Sequence, residues 1–181
     1  MESRNVLHVA VLAVLCGTWA APGAAVLPTN LTAVVDGPSA FERLKSLAGT
    51  WEAKRADGKA AMSIFELTAN GTVLLERYSN TAMPGGGHMA TAYHLDGSSL
   101  VLTHYCIAKN QPTLRAERFD AAAGEIQFEF VRASNLSSEK TGHMRRALYR
   151  LEDAAHFTTS WEFFEGGKKT MTEVERFTRS R

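Results

Sequence analysis

Cysteine is almost missing from this chain of 181 residues, which has two, Cys16 and Cys106. Cys16 falls in an N-terminal stretch that reads as a cleaved leader, so Cys106 stands alone afterwards and no intramolecular disulfide can form. The core must then hold the fold without covalent help, and a lone thiol in an oxidising compartment survives best as a small buried hydrophobe. Charge excess is missing too: 20 basic and 19 acidic residues leave a net charge of +1. That balance offers no bulk attraction to nucleic acid or to an anionic membrane surface. Beyond residue 25 no apolar run approaches the roughly 20 residues of a membrane-spanning helix. The sequence also lacks HExxH, paired-cysteine, nucleophile-elbow and phosphate-loop patterns, so none of the common local signatures of catalysis is present.

What is present begins with a leader. Arg4 precedes the apolar run 6–15, and small residues follow at Ala20, Ala21, Gly23, Ala24 and Ala25. This order is that of a secretory signal peptide, assigned to residues 1–25, and it predicts export to the periplasm or beyond with no integral membrane segment left after cleavage. Residues 26–37 carry no sustained period and read as a linker, which leaves 38–181 as one domain. Ser39 followed by Glu42 has the capping-box spacing, and Phe41, Leu44 and Leu47 recur at helical intervals before Gly49. A short amphipathic helix is expected there.

From residue 50 onward the chain falls into about ten strand-like runs separated by turn residues. They cover 50–56, 61–68, 72–79, 88–95, 98–107, 113–119, 125–133, 143–151, 156–164 and 169–178. Alternation is clearest in Ile126, Phe128 and Phe130, in Ala147, Tyr149 and Leu151, and in Phe157, Thr159, Trp161 and Phe163. Each strand therefore buries one face. Ten consecutive antiparallel strands must hide their edges, and closure is the economical way to do so. The expected fold class is all-β, a single closed antiparallel up-and-down barrel with the short N-terminal helix as its cap. In such a barrel successive connections alternate between the two ends. The even-numbered ones are short, whereas the odd-numbered ones include the long stretches 80–87, 108–112 and 134–142, so the helix should plug the stitched end and the other end should be the mouth.

The organising stretch is Tyr93 to Pro112. Asp96 and Gly97 form a favoured pair for a two-residue type I′ turn, which would set Leu95 opposite Ser98, Tyr93 opposite Leu100 and Met89 opposite His104. Strand parity carries Tyr93 inward, with His104 and Cys106 on the inward row nearer the mouth, and Asn110 and Gln111 in the loop that follows. The same parity places His143 and Arg145 inward on the eighth strand, beyond Ala147 and Tyr149, with Phe128 and Trp161 lining the interior. A ten-strand barrel encloses more space than side chains fill in fatty-acid carriers, and an apolar cavity with a few convergent polar groups is the usual form of a small-molecule site. The expected ligand-binding set is His104, Cys106, Asn110, Gln111, His143, Arg145, Tyr93, Phe128 and Trp161, with no metal, no cofactor and no catalytic residue assigned. Arg145 with the two histidines would favour an anionic ligand. The rival readings are a metal or haem protein, or an enzyme acting on a small apolar substrate through the mouth histidines.

Helix followed by Gly49-Thr50-Trp51 resembles the start of lipocalin-like barrels of the calycin group. With Tyr93 to Gly97, Thr103-His-Tyr-Cys106, Asn110-Gln-Pro112 and Gly142-His-Met144, the match extends from about residue 38 to the C-terminus, and the chain is similar to a family of exported bacterial lipocalin-like proteins of uncharacterised activity. The resemblance implies the barrel and brings no activity with it. Haem-binding barrels of the nitrobindin type are structural cousins, but here Ala53 replaces the final glycine of their Gly-x-Trp-x-Gly, and the last strand has no histidine.

Overall fold

The computed structural model describes residues 35–54 and 60–180; the leader and nearly all of the linker lie outside the described residues. Among the described residues one α-helix, α1 (Gly37–Lys45), leads into ten strands: β1 (Gly49–Lys54), β2 (Ala60–Thr68), β3 (Val73–Asn80), β4 (Met89–Asp96), β5 (Ser99–Tyr105), β6 (Gln111–Asp120), β7 (Glu125–Ser134), β8 (His143–Leu151), β9 (His156–Glu165) and β10 (Lys168–Arg179). Every strand pairs antiparallel with its sequence neighbours, and β1 pairs with β10 to close the barrel. The alternation that predicts strands thus predicts closure as well, since all the hydrophobic rows face one interior.

The helix starts earlier than the capping-box spacing suggests. Asp36 is the N-cap, its carboxylate accepting from Ser39 N at 3.0 Å and from Ser39 Oγ at 2.6 Å, and Pro38 sits in the first turn. A carboxylate one residue before Gly37 outcompetes the Ser39 hydroxyl because it satisfies a backbone N–H and also adds charge at the helix N-terminus. Gly37 is there for lack of space: a Cβ at this position would lie 2.2 Å from Ser98 O and 2.7 Å from Leu100 N. The helix N-terminus is therefore seated directly on the β4–β5 hairpin at the stitched end. Arg43 reinforces the seat by donating to Leu151 O at 3.1 Å. Because both obstacles are backbone atoms, Gly37→Ala should destabilise the protein by about 2 kcal/mol or more. An unchanged urea midpoint would show that the helix is not seated there.

The hairpin differs in register from the expectation. Asp96 pairs with Ser99, Leu95 with Leu100, Tyr93 with Leu102 and Thr91 with His104, so the two loop residues are Gly97 and Ser98. Positive φ is confined to Gly97, at +59°. That suits a turn needing it at the first central position only, the requirement of type II′, and not type I′ where both central residues need it. The shift moves each partner by two residues, so the same side chains still face inward.

Aromatic packing fills the lower half of the interior. Trp51, Phe65, Tyr93, Phe128, Tyr149, Phe157 and Phe177 are all at most 2% exposed, and they form one cluster with Phe41 and Leu44 of α1 and with Leu47 in the turn after it. Phe157 stacks on Phe177 at 4.7 Å and receives Trp51 edge-on at 4.8 Å. Arg179 finishes the floor: its guanidinium lies 4.1 Å from the Trp51 ring and donates to Ala48 O, Ser46 O and Ala154 O. Large rings close the space that a barrel of this size would otherwise leave open, so the interior is not a long apolar chamber.

Candidate functional site

Above the aromatic floor the interior turns polar. The inward row of β3 runs Leu74, Glu76, Tyr78, Asn80, and that of β10 runs Glu173, Glu175, Phe177, so three carboxyl groups face the inside of the barrel. Glu76 is the hub. Its Oε1 accepts from Ser63 Oγ at 2.6 Å and its Oε2 from Tyr93 OH at 2.7 Å. Tyr93 and Tyr149 share a 2.5 Å hydrogen bond, and Tyr149 in turn engages Trp161 and Glu76. Thr91 lines the same cavity beside Glu76. Burial pushes the Glu76 carboxyl up from its ordinary range, with the surrounding hydroxyls pulling the other way. Both phenols are raised by burial first and by the nearby Glu76 second.

A second group sits nearer the mouth. Tyr78 OH donates to Glu175 Oε2 at 2.9 Å, and Asn80 Nδ2 reaches Tyr78 OH, Glu175 and Glu173. Between the two groups is a cavity of about 30 Å³. Its walls include Glu76, Thr91, His104, Thr159 and Trp161, and the partly exposed Met89 and Glu173 mark its loose-end side. That volume takes a group of one or two heavy atoms, far less than the body of a fatty acid. The cavity therefore has room for a small polar group and not for an apolar chain.

His104 is the polar wall that this network leaves incomplete. It is 5% exposed, its ring lies 4.8 Å from that of Trp161, and Nδ1 is 3.0 Å from Thr91 Oγ1. Its other nitrogen, Nε2, is buried and has no hydrogen-bond partner among the described residues. Burial lowers the imidazole pKa to about 4, so the ring is neutral at ordinary pH.

The other expected site residues have different places. Tyr93 belongs to the Glu76 network, and Phe128 packs edge-on against Tyr93 and Tyr149 in the floor. Trp161 lines the cavity with His104. Cys106 follows the end of β5, where its N–H donates to Asn110 O and its carbonyl accepts from Lys109 N in a tight loop; burial raises its thiol pKa. Asn110 donates through Nδ2 to Gly142 O at 2.8 Å, tying the β5–β6 loop to the β7–β8 loop. Gln111 accepts from Ser134 Oγ and Asn135 Nδ2. These two residues hold loops together at the mouth and do not line the cavity.

His143 and Arg145 do not converge on His104. A bulge between Met144 and Arg146 pairs Met144 with Phe163 and His143 with Phe164, which brings Met144 into the inward row in place of His143. His143 Nδ1 lies 2.6 Å from Thr141 O, and its ring packs at 4.8 Å from Phe130. Arg145 lies over Phe130 at 4.8 Å and Phe164 at 5.7 Å, in a separate groove with Glu129 and Arg146. Arg146, not Arg145, takes Glu129, at 2.6 Å. Among the described residues, His143 and Arg145 therefore do not form a basic mouth around His104.

Neither a protein-family model nor a curated protein matches this chain. The functional reading accordingly rests on the geometry of the barrel interior. Among the described residues there is no group of three or more His, Cys, Asp or Glu placed to hold a metal ion, and no helix long and apolar enough to cross a membrane.

Proposed function

We propose that this protein is an exported small-molecule-binding barrel, a carrier or sensor of the lipocalin-like kind, whose ligand places a small polar head group in the His104 cavity and its apolar remainder towards the mouth. The observation that carries the reading is Nε2 of His104, a buried nitrogen at a cavity wall without a hydrogen-bond partner among the described residues. Leaving such a group unsatisfied costs about 1–3 kcal/mol, a penalty that a bound head group relieves. Export follows from the leader pattern of residues 1–25, and the helix with Gly49-Thr50-Trp51 supports the lipocalin-like likeness. The partly exposed Trp161 against His104 provides the reporter. Native mass spectrometry of the full chain purified from its own source is expected to show a copurifying small molecule that is absent from His104→Phe, and adding it back should change Trp161 emission. A ligand-free mass for both proteins, with no emission change for any compound in a panel of small amines, alcohols and acids, would remove the binding reading.

A further inference from the structure

Arg145 is the residue that the β8 bulge inserts between Met144 and Arg146, and its charge is left without a counter-ion. Among the described residues its guanidinium has neither a hydrogen-bond acceptor nor an ion-pair partner; it lies over the Phe130 ring at 4.8 Å and the Phe164 ring at 5.7 Å. The carboxylates on the flanking strands are taken by other donors. Glu129 Oε1 accepts from Arg146 Nε at 2.6 Å and from Gln127 Nε2 at 2.7 Å, while Glu162 accepts from Arg146 Nη1 at 3.1 Å and from Lys169 Nζ at 3.0 Å. Glu165, one residue beyond Phe164, is exposed and is not part of the groove wall around Arg145. Rings attract a cation through its charge and take none of its hydrogen bonds of ordinary strength, so Arg145 keeps its N–H fork for a planar acceptor. Its position between two rings also restricts the side chain, so little freedom is lost when that acceptor arrives.

The groove holds about 400 Å³ and is lined by Glu129, Phe130, Arg145, Arg146, Phe164 and Gly167, which is within the size range of small-molecule sites. Two guanidiniums against one carboxylate leave a single positive charge uncancelled. Phe130 and Phe164 are half-buried and present part of their rings to the groove. At Gly167 the wall is open, since a Cβ there would meet nothing within 4 Å. One free positive charge with a planar fork, apolar flanks and room for many atoms describe a monoanion with an apolar body, not a bare inorganic ion.

We infer that this groove is a second binding site, separate from the His104 cavity, for an organic monocarboxylate whose carboxylate is received by the N–H fork of Arg145 and whose apolar body rests on Phe130 and Phe164.

The experiment uses the full chain at pH 7.5 with benzoate and benzyl alcohol, an anion and a neutral molecule with the same ring. Calorimetric titration should show benzoate binding, with the alcohol weaker by roughly 10-fold or more, the usual range for hydrogen bonds to a charged group. Arg145→Met, which keeps a long apolar stem and removes the charge, should weaken benzoate by a similar factor. In the unmodified protein the Arg145 Nε–H signal, assigned by its disappearance in Arg145→Met, should shift with benzoate and stay in place with the alcohol, a readout that does not depend on the variant's stability. Trp161 emission should not respond, because the groove contains no tryptophan. Equal affinity for the two probes, equal benzoate binding by Arg145→Met, or no binding of benzoate would each overturn the second site and leave the His104 reading untouched. Benzoate that changes Trp161 emission without shifting the Arg145 signal would place the carboxylate inside the barrel, which also overturns the second site while supporting interior binding.

Discussion

Trp51→Ala is expected to cost about 3–5 kcal/mol of folding stability, read as a lower urea midpoint. The ring is 1% exposed, and its truncation removes several interactions at once. Nε1 donates to Leu47 O at 2.7 Å, so the variant leaves a carbonyl at the helix end without its partner. Phe157 loses an edge contact at 4.8 Å, and Arg179 loses the ring beneath its guanidinium. Since domains are commonly stable by only 5–15 kcal/mol, a loss at the upper end could leave a large unfolded fraction in warm solution. Trp51→Phe keeps most of the ring volume and should lose much less. Equal midpoints for wild type and Trp51→Ala would mean that the floor is not held by this residue.

The second large effect concerns acidity. His104 binds its proton at about 4 in the folded protein, against an ordinary value of 6.5, because burial disfavours the charged ring. Between those limits the unfolded chain holds the proton and the folded one does not. The contribution is therefore fully present above pH 6.5 and is lost as the pH falls towards 4; its ceiling is on the order of 3 kcal/mol. Glu76 acts in the opposite sense, because its raised pKa lets the folded state take a proton before the unfolded state does. Glu173 and Glu175 face the same cavity, and Tyr78 with them. The raw stability curve sums all these groups, and the difference between wild type and His104→Phe isolates the imidazole. Urea unfolding from pH 7.5 to pH 4 should show wild type losing stability relative to His104→Phe, and parallel curves would contradict the buried neutral imidazole.

Much of the barrel is legible in the chain because one interior imposes one rule on ten strands. Rows such as Phe157, Thr159, Trp161 alternate cleanly, and observed strands fall within about two residues of the expected spans. Parity also reads His104 correctly as inward, since β5 has no irregularity before it. The same rule misplaces His143 and Arg145, because one extra residue at the Met144–Arg146 bulge exchanges the faces beyond it, and nothing in the composition of that stretch marks the bulge. The inward carboxyl groups are hidden in the sequence for another reason. Glu76 alternates in phase with Leu74 and Tyr78, and Glu175 with Phe177, so the signal was present. A glutamate on a strand is ordinarily assigned to the solvent face, because burying its charge is expensive unless hydroxyls or amides surround it. Here Ser63, Thr91, Tyr93 and Tyr149 supply that surrounding for Glu76, from three separate strands that only the folded chain unites.

The closure by Arg179 has a consequence for how the molecule is made. Trp51 faces Arg179 across the β1–β10 seam, and Ser180 N donates to Thr50 O at 2.8 Å. The two strands that must meet are the first and the tenth, so closure waits until the whole barrel sequence is present. Until then the forming sheet carries an open edge at β1, and hairpins added one after another extend it without sealing it. Contacts so distant along the chain carry the largest loop-closure cost and form slowly. The guanidinium that seals the floor thus also marks the end of a waiting period, during which the nascent barrel is most open to pairing with another chain.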